Sequence, residues 1–200
     1  MAAQPSWQYM SVEEWHELER TSHDIKHEYI DGHVYAMAGG TLAHSHISTN
    51  VLIALRSALA RRSCHAYNSD AAARLSPTRY TYPDVTVTCE ERDQPTNEQR
   101  EIQAPRVIVE VLSDTTEAYD RGLKFAYYRE CSTIQEYVLV STTYQTVEVY
   151  RRTPEGWTSY QAYRPGENIH LTSIDVHLPL AALYELSNVP EMLDAPEGEV

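Results

Sequence analysis

The chain has 200 residues, 42% of them hydrophobic and 22% charged, and a formal net charge of -13 at pH 7. That length fits one domain with room for a substantial core. The acidic balance excludes a protein that coats nucleic acid by bulk electrostatics, because non-specific affinity for phosphates comes from lysine and arginine. The longest apolar stretches are strand-length, no segment approaches a membrane span, and residues 1–6 lack the basic and apolar regions of a secretory signal, so a cytoplasmic location is expected. Cys64, Cys89 and Cys131 are far apart and form no CxxC pair. Neither a disulfide framework nor a zinc site is expected from them, and they read as small buried hydrophobes.

Residues 1–10 read as a flexible N-terminus. Ser11, followed by Glu13, Glu14, Trp15 and Leu18, has the cap and acidic first turn of a short helix ending near Arg20. Two strand-like runs, 26–30 and 33–37, flank Asp31-Gly32, a strong hairpin-turn signal. From 42 to about 61 the apolar positions Ile47, Val51, Leu52, Leu55 and Leu59 recur at helical spacing, with Arg56, Arg61 and Arg62 near the C-terminal end. Short strands are expected near 64–67 and 71–75. A further strand is expected over 80–89, where Val85 and Val87 alternate with Asp84, Thr86 and Thr88.

Residues 90–104 carry charge, Pro95 and no apolar periodicity, so they read as a mobile surface loop. A central strand follows in the run from Val107 to Leu112. A helix is expected over about 118–130, with Tyr119, Leu123, Ala126 and Tyr127 as its apolar stripe, and then a buried strand at 137–140. Strand, helix, strand implies a right-handed crossover and a parallel pair. Later antiparallel strands are expected at 146–150 and 157–160, a closing helix or turn at 178–186, and an acidic tail over 188–200. The fold class is therefore mixed α/β (α+β): a central sheet flanked by helices, in a single domain over 11–187 with an N-terminal helix and hairpin and C-terminal antiparallel strands.

Glu110 interrupts the most apolar strand of the chain. An ionised carboxylate there is costly unless something cationic compensates it, so it needs either a metal ion or a lysine. Asp84 on the preceding strand and Lys124 on the following helix are groups that this topology can bring to the same end of the sheet. Two carboxylates bind a hard divalent cation through oxygen, and a lysine can orient water or neutralise a developing charge.

In this order and spacing, Tyr82-Pro83-Asp84-Val85, Ile108-Val109-Glu110-Val111-Leu112-Ser113 and Tyr119-Asp120-Arg121-Gly122-Leu123-Lys124 resemble the Uma-type family of restriction-endonuclease-like proteins in the PD-(D/E)XK superfamily. Glu28-Tyr29-Ile30-Asp31-Gly32 and His44-Ser45-His46 add to the likeness, which covers roughly residues 10–187. The resemblance implies a restriction-endonuclease-like mixed sheet and a magnesium ion, or manganese, held by Asp84, Glu110 and the backbone carbonyl of Val111. It also implies nucleic acid, DNA above all, as substrate. The superfamily's lysine usually stands two residues after the acid, where this chain has Leu112; Lys124 is the matching position on the next helix.

Each of these residues has a plainer reading. Glu110 can be a structural acid paired with Arg121 or Lys124, Asp84 an ordinary strand residue after a proline, and Asp120 with Lys124 a solvated pair on a helix surface. Arg121 divides between a phosphate contact and ordinary surface. His44, near a helix start, and Glu28, on the hairpin, are possible accessory groups; His46 diverges from His44 on a helix, and Asp70 suits a turn. Tyr127, Tyr137 and Tyr150 read as core rather than as a base-stacking surface.

The resulting expectation is a magnesium-dependent endodeoxyribonuclease in which Asp84, Glu110 and Lys124 are catalytic. Arg56, Arg74, Arg79, Arg121 and Arg129 would supply local positive charge, and a homodimer is compatible with cleavage of two strands. The rival is a catalytically silent nuclease-fold module that binds a protein or nucleic-acid partner. A small-molecule hydrolase with the same carboxylate site is a third reading.

Overall fold

Helix α1 (Val12–Thr21) starts at a complete capping box, in which the Ser11 hydroxyl accepts from the Glu14 amide and the Glu14 carboxylate accepts from the Ser11 amide. The computed structural model of the protein describes residues 9–37 and 39–191. Most of the flexible N-terminus expected over 1–10 and most of the acidic tail lie outside the described residues, and Met10, which is described, is hydrogen-bonded to Gly32 and Tyr29. Strands β1 (His27–Ile30) and β2 (His33–Ala36) form the expected hairpin, with Asp31 at φ 49° and Gly32 at φ 93°, the left-handed pair that a two-residue turn requires. Helix α2 (Leu42–Ala58), capped by Thr41, buries Ile47, Val51 and Leu55.

The expected strand over 80–89 is two strands in two sheets. Strands β3 (His65–Asn68), β4 (Ala72–Ser76), β5 (Arg79–Thr81) and β6 (Val85–Thr88) come in succession, with Tyr82-Pro83-Asp84 crossing from β5 to β6. Proline cannot donate to a ladder, so the run of extended residues breaks there and Asp84 lies at a strand start. Strand β7 (Glu101–Ile102) pairs in parallel with β4, and strands β8 (Val107–Val111) and β9 (Glu136–Val140) form the expected parallel pair. Strands β10 (Val147–Thr153) and β11 (Gly156–Tyr163) extend that sheet antiparallel. Strands β12 (Asn168–Leu171) and β13 (Val176–Pro179), which the sequence reading did not anticipate, form a separate hairpin before the short helix α5 (Leu180–Leu183). Among the described residues the strand orders are β2-β1-β5-β4-β7, β11-β10-β9-β8-β6-β3 and β12-β13.

Period-two alternation along β8 and β9 distributes two cores. Val107, Val109, Val111, Val138 and Val140 pack with α2, β13 and α5, whereas Ile108, Leu112, Tyr137 and Leu139 pack with Tyr128 from the opposite side. Glu110 shares the face of Ile108 and Leu112.

On that face the helical segment is interrupted. Helix α3 (Glu117–Tyr119) runs into a π-helical turn (Asp120–Lys124) and then α4 (Phe125–Glu130). A π-turn widens the helix and changes which side chains point inward. The expected stripe is accordingly corrected: Leu123 is 54% exposed, and the buried positions are Asp120, Lys124 and Tyr128. Phe125 and Tyr127 flank them, partly buried against the same core.

Two further expectations are corrected. Residues 90–104 are anchored rather than mobile, because the buried Asp93 carboxylate accepts from Thr88 Oγ1 and from the amides of Gln103 and Ala104. Cys64 and Cys89 form a disulfide, while Cys131 is a buried free thiol as expected. The reason is register: His65 pairs with Thr88, so the next antiparallel pair outward is Cys64 opposite Cys89, a juxtaposition that a spacing of 25 residues does not reveal. Among the described residues, no helix is long and apolar enough to cross a membrane.

Candidate active site

Strand β8 presents Glu110 to the π-turn. The carboxylate is 4% exposed, and its Oε1 accepts from the Tyr128 hydroxyl at 2.6 Å and lies 2.9 Å from Lys124 Nζ. Lys124, 7% exposed, is also 3.2 Å from Glu28 Oε1 and 3.8 Å from Asp120 Oδ1. Glu28 is buried on β1, and its Oε1 also accepts from the Tyr82 amide at 3.2 Å, next to the β5–β6 crossing. One ammonium thus stands among three buried carboxylates from three different elements.

Asp84 approaches from the start of β6. Its Oδ2 accepts from the Val111 amide at 2.7 Å and lies 3.2 Å from His44 Nε2 on the first turn of α2. The hydrogen bond to Asp84 pushes the His44 pKa upward, and the Asp84 charge and the Val111 backbone add to that effect. Asp84 therefore fixes Val111 beside it, and His44 fixes Asp84.

Burial pushes the Glu110 pKa up to about 8, with Asp120 and Asp84 adding repulsion and the Lys124 ammonium acting the other way. Burial likewise raises the Asp120 pKa. Lys124 goes the way that favours its charge: the three carboxylates around it outweigh desolvation and hold its pKa well above the ordinary value. Carboxyl groups outnumber the Lys124 ammonium at this spot, and burial favours the neutral form of Glu110 and Asp120.

Not every candidate converges here. Arg121 donates from Nε to Glu117 and in bidentate fashion to Glu148, so it is tied to two acids. Arg79 is similarly held by Asp31 and Glu130. Asp70 is exposed and pairs with Lys26 and Asn68 near a turn, and His46 is exposed with its ring against the Glu185 carbonyl. Tyr137 donates to the Asp120 carbonyl, and it stacks with Phe125, which also packs against Tyr150, so both tyrosines are core residues.

Two contributors escaped the sequence reading. Asp120 was visible only as the solvated partner of Lys124, and the pair is instead buried. Tyr128 gave no signal at all, since its role depends on lying under the π-turn.

The donor chemistry fits a hard divalent cation. In the contacts named above Asp84 engages Oδ2 and Glu110 engages Oε1. With the Val111 carbonyl the set is all oxygen, as magnesium or manganese prefers.

The family model Uma2, described as "Putative restriction endonuclease", matches residues 12–181. The uncharacterized protein slr1290 of Synechocystis sp. is 37% identical over 172 residues, covering 86% of this chain and 87% of that protein. The uncharacterized protein sll1609 of the same organism is 31% identical over 128 residues, covering 64% and 72%. The crystal structure of a "putative nuclease belonging to DUF820" from Anabaena variabilis superposes with a TM-score of 0.72 at 19% identity, over 89% of this chain and 99% of that one. The fold is thus restriction-endonuclease-like, and on the extent of the family match the chain belongs to the Uma2 family.

Proposed function

We propose that the protein is a metal-dependent endonuclease that hydrolyses phosphodiester bonds, with DNA as substrate and magnesium, or manganese, as cofactor. The observation that carries this reading is the position of Lys124: the π-turn brings its ammonium to 2.9 Å from Glu110, supplying the cation that Leu112 cannot. Asp84, Glu110 and the Val111 carbonyl would hold the metal. When bound, a divalent cation stabilises charge on phosphoryl oxygens and makes water a stronger nucleophile near neutral pH.

The chain's own groups have separable tasks. Lys124, kept protonated by Glu28, Glu110 and Asp120, offers a compact positive charge to an oxygen that becomes negative as the phosphorus–oxygen bond breaks. Tyr128 holds one Glu110 oxygen and so sets where the other points, and His44 does the same for Asp84. With Arg121 and Arg79 occupied by carboxylates, the exposed Arg56 and Arg129 are the better candidates for backbone contact. A homodimer would allow both strands to be cut.

The test is plasmid nicking by purified protein as magnesium or manganese is titrated, alongside Asp84→Asn, Glu110→Gln and Lys124→Met. Each substitution should reduce cleavage by at least about 100-fold, the usual effect of losing one charge-stabilising group. Cleavage that survives the two carboxylate substitutions would remove the assignment.

One observation favours a second reading, a silent module: in the arrangement described, the Lys124 ammonium is fully engaged by carboxylates. Calorimetry separates the two, because a module without a site shows no magnesium binding that depends on Asp84 and Glu110.

A further inference from the structure

The C-terminal hairpin carries a second set of ligand groups, independent of the carboxylate site. In β12 and β13, Ile169, Leu171, Val176 and Leu178 point into the core, and the alternate positions His170 and His177 point outward. The register pairs His170 directly with His177. Their rings lie parallel, with centroids 4.0 Å apart and planes 10° from one another. Asp175, one residue before β13, has φ 49° and closes the turn. The nearest ligand atoms of His170, Asp175 and His177 all lie within 4.8 Å of one another.

The backbone beneath these side chains is pinned. The buried Glu136 carboxylate accepts from the amides and hydroxyls of Thr172 and Ser173. Arg62 donates to the carbonyls of Ile174 and Asp175, Arg106 to that of Ser173, and Arg151 to that of His170. A turn held at so many points keeps the three ligand-bearing Cα atoms in place, which is the backbone part of the preorganisation a metal site needs.

We propose that His170, Asp175 and His177 form a surface site for a borderline transition-metal ion, with zinc as the reference ligand. Two imidazoles and one carboxylate are the donor set of open zinc sites, in which water takes the fourth position, and nitrogen donors discriminate against magnesium. Zinc–ligand bonds of about 2.1 Å place ligand atoms roughly 3.4 Å apart in a tetrahedron. The stack therefore opens by χ rotation as the rings turn their nitrogens toward the ion, and no backbone movement is required. His177 and Asp175 are exposed, so an ion can enter from solvent.

Cobalt(II) serves as a visible probe and zinc as its competitor. Both are titrated into the full-length protein in millimolar magnesium, which keeps the all-oxygen site filled. The wild type should bind one cobalt with the absorption of a low-coordinate nitrogen-ligated ion, and zinc should displace it. His177→Gln should weaken binding at least about tenfold, as should Asp175→Asn, in which asparagine tolerates the left-handed backbone. His33→Gln, an exposed histidine on β2, should leave binding unchanged. Absence of cobalt binding, binding that persists in His177→Gln and Asp175→Asn, or an equal loss in His33→Gln would each overturn the site, the last marking adventitious surface binding. Circular dichroism of each variant guards the reading: a fold change in His177→Gln transfers the decision to Asp175→Asn.

Discussion

Replacing Glu110 by glutamine should make the metal-free protein more stable at pH 8 while abolishing the activity proposed for it. The Glu110 pKa is held up at about 8 in the fold, chiefly by burial, against an ordinary value of 4.5. A carboxyl whose folded-state pKa is raised binds its proton more tightly when folded, so its contribution favours folding most below about pH 4.5. That contribution then declines as pH rises to about 8. A span of that size corresponds to roughly 4 kcal/mol between the two limits. Glutamine keeps an acceptor for the Tyr128 hydroxyl and removes the ionisation, but it leaves Lys124 with one partner fewer. Because a pKa of about 8 already contains the Lys124 attraction, the net gain at pH 8 is about 4 kcal/mol, or a Tm higher by about 8–16 °C for a domain of this size. At pH 5 the two proteins should be nearly equal. Urea unfolding in EDTA at pH 5, 6.5 and 8 measures the difference, and adding magnesium should stabilise the wild type alone, most strongly at pH 8. A wild type whose stability is flat over this range, or a variant less stable than wild type at pH 8, would refute the reasoning.

Lys124→Met should act in the opposite direction, because it leaves Glu28, Glu110 and Asp120 buried without their counter-charge. A loss of about 3–5 kcal/mol at pH 7 is expected, partly recovered at pH 5, and equal stability of the two proteins in urea would contradict the buried cluster. Opening the Cys64–Cys89 bridge, by reduction or by paired serines, should cost about 3 kcal/mol for a loop of 25 residues. The denaturation midpoint with and without reductant reads this directly, and alkylation of freshly lysed cells reports whether the bridge exists in the compartment where the protein resides. Gly122→Ala should stabilise by about 0.5–1 kcal/mol, since an added Cβ meets nothing within 4 Å and the backbone needs no positive φ. A destabilised Gly122→Ala would mean that the π-turn depends on the glycine.

Much of the local structure was legible. The capping box at Ser11, the Asp31-Gly32 turn, the periodicity of α2 and the doubly apolar β8 and β9 each follow from interactions within a few residues, or from burial on both faces. Failures occurred where a distant partner outweighed local preference. Leu123 looks like core and is exposed, while Asp120 looks like the solvated partner of Lys124 and is buried with it. Glu28 and Glu110 supply what the helix must face, and the π-turn turns it to face them. Residues 90–104 looked mobile because their anchor, Asp93, is an acid whose hydrogen-bond partners come from both flanks.

By itself the sequence determined the class of fold and the fact that Glu110 needs a cation, since hydrophobic period and the expense of a buried charge are properties of the local run. Tertiary structure alone decided that Lys124 rather than Arg121 stands against Glu110, which acids share it, and that Cys64 meets Cys89 and His170 meets His177. Those are consequences of strand register and helix phase, and a one-residue change in either sends every side chain to another face.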